Sequence, residues 1–312
     1  MIPKTVLTAA LAVAVVAIAL TSDSFRSPTP TTSPDSIRVM RDLSILAHDS
    51  MGGRAPGTPG SLKTIAYLAA ELERAGVVPM RDGFERPFVW ERGSGVNLVG
   101  HVLGDSDQGV VLLTAHFDHV GTIDGVVHNG ADDNASGTVA ALEIARLLSA
   151  APLRSTFVVA LLDAEESGLQ GARAFVRDSP TPLDGISLVV NLDMVSRSDG
   201  VLWVSGAYHT PSLRPTLEAV AASAPVTLRL GHDRTGIPGE ADWTNSSDHG
   251  PFHAAGVPFV YFGVEDHPDY HKPTDDVERV DAGDYLDSIR TILAALRALD
   301  AALPFLDPAP SR

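Results

Sequence analysis

Residues 110–119 read VVLLTAHFDH. Six residues of buried-strand character run straight into His116, Asp118 and His119. The same grammar recurs twice downstream. Residues 156–166 read TFVVALLDAEE, an apolar run closed by Asp163, Glu165 and Glu166. Residues 186–193 read ISLVVNLD, closed by Asn191 and Asp193. Strands buried on both faces read as near-continuous apolar runs, as a parallel sheet covered by helices requires. Helical stretches lie between them. They are expected at 36–49 with Asp35 and Ser36 as caps, at 62–75 stopped by Gly76, and at 139–148. Another is expected at 167–177, opened by a Ser167-x-x-Gln170 capping box. A final stripe comprises Leu286, Ile289, Leu293, Leu296, Leu299 and Leu303. Further strands are expected at 201–205, 226–230 and 257–262. The fold class is α/β: a single domain with a mostly parallel central sheet and helices on both faces.

In such sheets ligands bind outside the carboxyl ends of the strands. His116, Asp118, Glu165, Glu166 and Asp193 all fall there. Gly130-Ala-Asp132-Asp133-Asn134-Ala-Ser-Gly137 leads into the helix at 139–148 and adds two more carboxylates. A last cluster follows late in the chain, with His267, Tyr270, His271, Asp275 and Asp276. Imidazole and carboxylate together form a ligand set suited to zinc, manganese or cobalt. The chain has 312 residues and no cysteine, which removes thiol catalysis, disulfides and Cys-type zinc sites. Lys+Arg number 23 and Asp+Glu 39, a net charge of −16, which opposes nucleic-acid binding. That excess has two readings: a solvated acidic surface, or carboxylates that bind metal. No H-E-x-x-H helix is present. Ser247-Asp248-His249 has the letters of a serine triad, but three adjacent residues cannot form its line, so a capped helix start is expected there.

Residues 1–20 read as a signal peptide or an uncleaved N-terminal anchor. Lys4 precedes an apolar run at 6–20 broken by Thr8, with Ala17-Ile18-Ala19 as a cleavage site. Both readings put the body outside the cytosol, periplasmic or extracellular, with no other membrane attachment expected. Residues 21–35 are expected to be a Pro/Ser/Thr-rich linker, 36–305 the folded body and 306–312 a tail.

The chain resembles the M28 family of metallopeptidases, the co-catalytic dizinc aminopeptidases, in their exported bacterial form. The resemblance rests on His116-x-Asp118, Asp132-Asp133-Asn134-Ala-Ser-Gly137, Glu165-Glu166, Asn191-Leu-Asp193-Met194, Ser247-Asp248-His249 and Tyr270-His271. A Gly-Arg-x-x-Gly-Thr-Pro-Gly loop at 53–60 adds to it. It implies a zinc-dependent exopeptidase architecture and two zinc ions, with manganese or cobalt as substitutes. Asp133 would bridge the ions, His116 and Asp193 completing one site, Glu166 and His271 the other. Glu165 would be the general base for a bridging water, Tyr270 a donor to the oxyanion, and Asp118 the carboxylate that orients His116. Asp275 is expected to do the same for His271, and Asp133–Asn134 to be a cis peptide. His119, His128, His267 and Asp132 receive no ligand role.

The substrates implied are peptides with a free N-terminus. Glu165 and Asp193 would help hold the amine, with Glu240 or Asp242 from the 231–246 loop. Residues 77–96 leave no room for the protease-associated insertion of larger relatives, and 206–246 is the expected lid or rim. The alternatives are a one-zinc glutaminyl cyclase, a carboxypeptidase using Arg234, and a binding protein on the same scaffold.

Overall fold

The computed structural model describes residues 33–303 apart from 107. The 1–20 segment, most of the 21–35 linker and the 306–312 tail lie outside the described residues. The chain opens with α1 (Ser36–Leu46) and α2 (Pro59–Arg74), then β1 (Val78–Pro79), β2 (Glu85–Trp90), β3 (Gly93–Val102) and β4 (Val110–His116). A small ribbon, β5 (Thr122–Ile123) and β6 (Val126–Val127), precedes α3 (Gly137–Ala150), β7 (Thr156–Leu162) and α4 (Gln170–Arg177). Next come β8 (Ile186–Leu192), β9 (Val201–Ser205), α5 (Arg214–Ala221) and β10 (Thr227–Leu230). The last elements are α6 (His249–Ala254), β11 (Phe259–Gly263) and α7 (Ala282–Ala302).

One sheet runs β1-β3-β7-β4-β8-β11-β9-β10, with β2 paired to β3. Its centre, β7-β4-β8-β11, is parallel, and β10 lies parallel to β9. Antiparallel pairings flank it, β3 on β7 and β9 on β11. His116 is level with Leu162, and Thr114 with Asn191, so the three central strands release their polar residues at one height. β4 shows why its run is continuous. Val111, Leu113 and Ala115 join the apolar cluster that includes residues of α1, α2, α3, α5 and α7, whereas Leu112 joins the cluster that includes residues of α4 and α6. Each leucine so buried contributes about 1.5–3 kcal/mol.

Local signals held at most ends and failed at some. Asp35 caps α1 by accepting from Arg38 N, Thr58 caps α2 by accepting from Ser61 N, and Asp281 caps α7. The Ser167 capping box does not form. α4 begins at Gln170, whose side-chain amide donates to Ser167 O and Gly168 O. The turn before it is held elsewhere, by Asp118 accepting from Glu165 N and Glu166 N. The β2–β3 hairpin was not singled out in the sequence, because Gly93 and Gly95 interrupt its apolar pattern. α1 stops at Leu46, short of residue 49, and a 3₁₀ segment at Asp49–Arg54 turns through Gly52 and Gly53, both at positive φ.

That turn yields a paired prediction. A Cβ at Gly52 meets open space, so Gly52→Ala should lose only the left-handed penalty, about 1–2 kcal/mol. A Cβ at Gly53 would run into the carbonyl oxygens of Gly121 and His128, adding about 1–3 kcal/mol of overpacking. Denaturant unfolding of the two variants should rank them in that order.

Candidate metal centre

The loop before α3 is fixed by side chains. Asn134 accepts from Gly137 N and Met194 N and donates to Leu192 O. Ser136 Oγ accepts from Val195 N and donates to Asp132 O. Asp132 accepts from the N–H and hydroxyl of Ser196. These bonds stitch the loop to the end of β8. The Asp133–Asn134 peptide is cis. Asp275 accepts from Asp132 N and Asp133 N, so it braces the aspartate loop and does not orient His271.

Two groups of ligand atoms converge there: His116, Glu165 and Asp193, and His119, Asp133, Glu166 and His271. His116 Nε2 lies 3.2 Å from Asp193 Oδ1 and 3.6 Å from Asp133 Oδ1. His271 Nε2 lies 3.0 Å from Asp133 Oδ2 and 3.2 Å from Glu166 Oε2. Asp133 therefore turns one oxygen to each group. Its Oδ2 is buried and faces imidazole nitrogens, His271 Nε2 at 3.0 Å and His119 Nδ1 at 3.6 Å, a setting that a shared cation would satisfy. Imidazole and carboxylate at these separations suit zinc, and the residues present fit it. The Asp118 carboxylate stands 3.7 Å from His116 Nδ1, whose nearer partner is Asp118 O at 3.2 Å. Its oxygens are given chiefly to the N–H groups of Glu165 and Glu166, 2.9 and 3.3 Å away. The Tyr270 ring stacks on His271 with centroids 4.0 Å apart.

The site is short of positive charge. Burial, reinforced by Asp193, Asp248 and Asp118 against the pull of His116, pushes the Glu165 carboxyl up to about 10. Burial likewise pushes Asp248 up to about 8, and neither of its oxygens has a hydrogen-bond partner. Burial also works against a charged Glu166, yet hydrogen bonds with His119 and His271 hold it below the usual carboxylate range. Arg54 is fully buried behind these loops, and burial lowers its pKa to about 10. Its four hydrogen bonds all go to carbonyls, of Leu46, Phe117, Asn129 and Gly130. It thus ties the end of β4 to the aspartate loop.

A cavity of about 290 Å³ opens on both groups, walled by Met194, Trp243, Tyr261, Val264 and Asp266. Glu240 and Asp242 do not reach it. Glu240 Oε2 accepts from His232 N, and Asp242 Oδ1 accepts from Thr244 N and its hydroxyl, because both close their own loop. Arg234 lies over the Tyr208 ring, and among the described residues no arginine or lysine lines the cavity. His267 pairs with Asp132, and His128 faces Val126 O. His119 departs from expectation by joining the second group. α6 starts at His249 as expected, but Asp248 makes no cap hydrogen bond, and Ser247 Oγ accepts from Asn191 Nδ2. Sequence reasoning thus gave no site role to Arg54, His119, Asp248, Trp243 or Asp266, although Arg54 and Asp248 stand in motifs that carry the resemblance and His119 directly follows a strand end.

The sequence profile of peptidase family M28 matches residues 97–296. Leupeptin-inactivating enzyme 1 of Streptomyces exfoliatus is 28% identical over 249 residues, 78% of this chain and 52% of that protein. Aminopeptidase YwaD of Bacillus subtilis is 32% identical over 180 residues, 55% of this chain and 37% of that protein. The match thus spans about half the length of the first of these relatives, and less of the second. The fold is similar to that of BSAP, a zinc aminopeptidase from Bacillus subtilis, with TM-score 0.67 at 18% identity over 85% of this chain and 95% of that one. A Zn-dependent exopeptidase from Parabacteroides distasonis gives TM-score 0.69 at 18% identity, over 85% of this chain and 98% of that one.

Asp118 holds both glutamates and His116 without lining the cavity. Asp118→Asn should therefore weaken zinc uptake by about 10–100-fold, the usual cost of an outer partner. Competition against a chelating dye reads this, with far-UV circular dichroism unchanged.

Proposed function

The chain belongs to peptidase family M28, and we propose that it is an exported dizinc aminopeptidase that releases N-terminal residues from peptides. The observation that carries this reading is Asp133, which divides its two oxygens between two His-and-carboxylate groups beside Glu165. His116, Asp133 and Asp193 would hold one ion, and Asp133, Glu166 and His271 the other. Zinc bound there supplies Lewis acidity, polarising the scissile carbonyl and acidifying a water.

The chain's own residues do the rest. Glu165 accepts the proton of the attacking water and passes it to the leaving amine. Burial and the neighbouring carboxylates push its carboxyl up to about 10, so a base at this position calls for nearby positive charge, which two divalent ions would supply. Tyr270, stacked on His271 and lining the cavity, would offer its hydroxyl to the developing oxyanion. Asp193 and Asp266 offer negative charge to a free α-ammonium group, and Trp243, Tyr261, Met194 and Val264 wall the first side chain. A substrate α-carboxylate would meet acids and no cation among the residues lining the cavity, which weighs against a carboxypeptidase. Residues 1–20 serve export in this reading. Among the described residues, no helix is long and apolar enough to cross a membrane.

A panel of aminoacyl-nitroanilides, with and without EDTA, tests the proposal. Hydrolysis should require a free amine, cease in chelator and return with zinc. Undiminished hydrolysis in chelator would end the metal reading. Glu165→Gln should keep its zinc and lose about 10²–10⁴-fold in kcat. A near-wild-type rate in that variant would remove Glu165 as the base.

A further inference from the structure

The motif gives His119 no task, yet the fold carries its ring into the second group of ligand atoms. Its Nδ1 lies 2.9 Å from Glu166 Oε1 and 3.6 Å from Asp133 Oδ2. In a tetrahedral zinc site with bonds of about 2.0–2.1 Å, ligand atoms stand about 3.3–3.4 Å apart. His119 therefore meets its carboxylates at 2.9 and 3.6 Å, close to the 3.0–3.6 Å that His116 and His271 keep from theirs. The ring is fully buried and cannot swing aside. A Cβ on Gly130 would come within 2.5 Å of its Cγ, so the glycine backbone packs directly against it. Its other nitrogen, Nε2, has no hydrogen-bond partner, which leaves Nδ1 as the atom through which it acts. One shared cation would draw on all four side chains, including Asp133 Oδ2, which both His119 Nδ1 and His271 Nε2 face at 3.6 and 3.0 Å.

We propose that His119 is a fourth protein ligand of the second ion, through Nδ1. This rests on the two-ion reading above and makes the two positions unequal. The second ion is enclosed by His119, Asp133, Glu166 and His271. The first keeps three protein ligands and opens towards Glu165 and the cavity. Four protein ligands enclose zinc more fully than three, which leave a position open to water. The first ion is therefore the one that exchanges, and chelator should remove it before the second.

The test uses the full chain, stripped of metal and titrated with Co²⁺ alone, followed by visible absorption. Zinc content at buffered free Zn²⁺ is measured in parallel. In His119→Asn, an amide nitrogen near the Nδ1 position can still donate to Glu166 but is a poor zinc ligand. In His119→Asp, an oxygen there can ligate but cannot donate. Metal-free circular dichroism and melting establish that both variants fold. Wild type should take up two ions. The Asn variant should lose affinity for one of them by about 100-fold or more, beyond the usual loss for an outer partner, with a changed Co²⁺ band. The Asp variant should retain two ions. An Asn variant with both affinities and its Co²⁺ spectrum unchanged would overturn the assignment, as would an Asp variant that loses an ion the Asn variant keeps. Wild-type protein that takes up one ion would instead overturn the two-ion reading, and the assignment with it.

Discussion

Asp118, Asp133, Glu165, Glu166, Asp193 and Asp248 are packed, buried or nearly so, at one end of the sheet, and their mutual repulsion organises everything around them. Out of water each charge raises the cost of the next. The chain answers in part with main-chain dipoles. Asp118 takes the N–H groups of Glu165 and Glu166, and Asp275 those of Asp132 and Asp133. It answers in part with imidazoles, which approach Asp133, Glu166 and Asp193 from three sides. Glu165 and Asp248 stay above the normal carboxylate range after both measures. Positive charge shared at the point where the ligand atoms converge would relieve what repulsion remains.

Such a cluster survives only on a frame that cannot relax. The parallel centre of the sheet supplies the frame, because strands in register end at one height and are sealed on both faces by apolar contacts. Side chains then lock the loops to those ends. Thr138 donates to His116 O from the first turn of α3, and Tyr285 of α7 donates to Ser136 O. Arg54 adds the only arginine among the largest fully buried side chains, bound to carbonyls on both sides of the metal loops. A buried cation so placed stabilises the carboxylates at a distance while leaving their oxygens free.

The strands were legible in the sequence because burial on both faces erases their alternation, and the polar residues closing them mark the active end. Five candidate ligands and Glu165, which the fold brings together, could be named from that pattern together with the family resemblance. What escaped was direction. Glu240, Asp242 and Asp275 have suitable chemistry at suitable positions, but each carboxylate is captured by main-chain N–H groups, which spacing does not reveal. Ser167 and Gln170 have the letters of a capping box, but Asp118 competes for the same turn and wins. His119 was set aside because a motif assigns roles by precedent, whereas the fold assigns them by distance.

The 206–246 stretch reads in sequence as a lid or rim, and the structure gives its inner edge a different character. The His232 ring stacks on Trp243 at 3.7 Å and 10°. Trp243 N donates to His232 O, and Trp243 O lies 2.8 Å from His249 Nε2. His249 in turn stacks on Tyr261 of β11, and His232 Nε2 reaches Glu265 just beyond that strand. The wall facing the metal groups is therefore fastened to the same sheet that positions the ligands. In the proposed function, a rim built this way would select substrate by a fixed shape, so that binding need not first order a loop. It also keeps an apolar surface opposite the carboxylates, where exclusion of water strengthens each charge the site presents to its substrate.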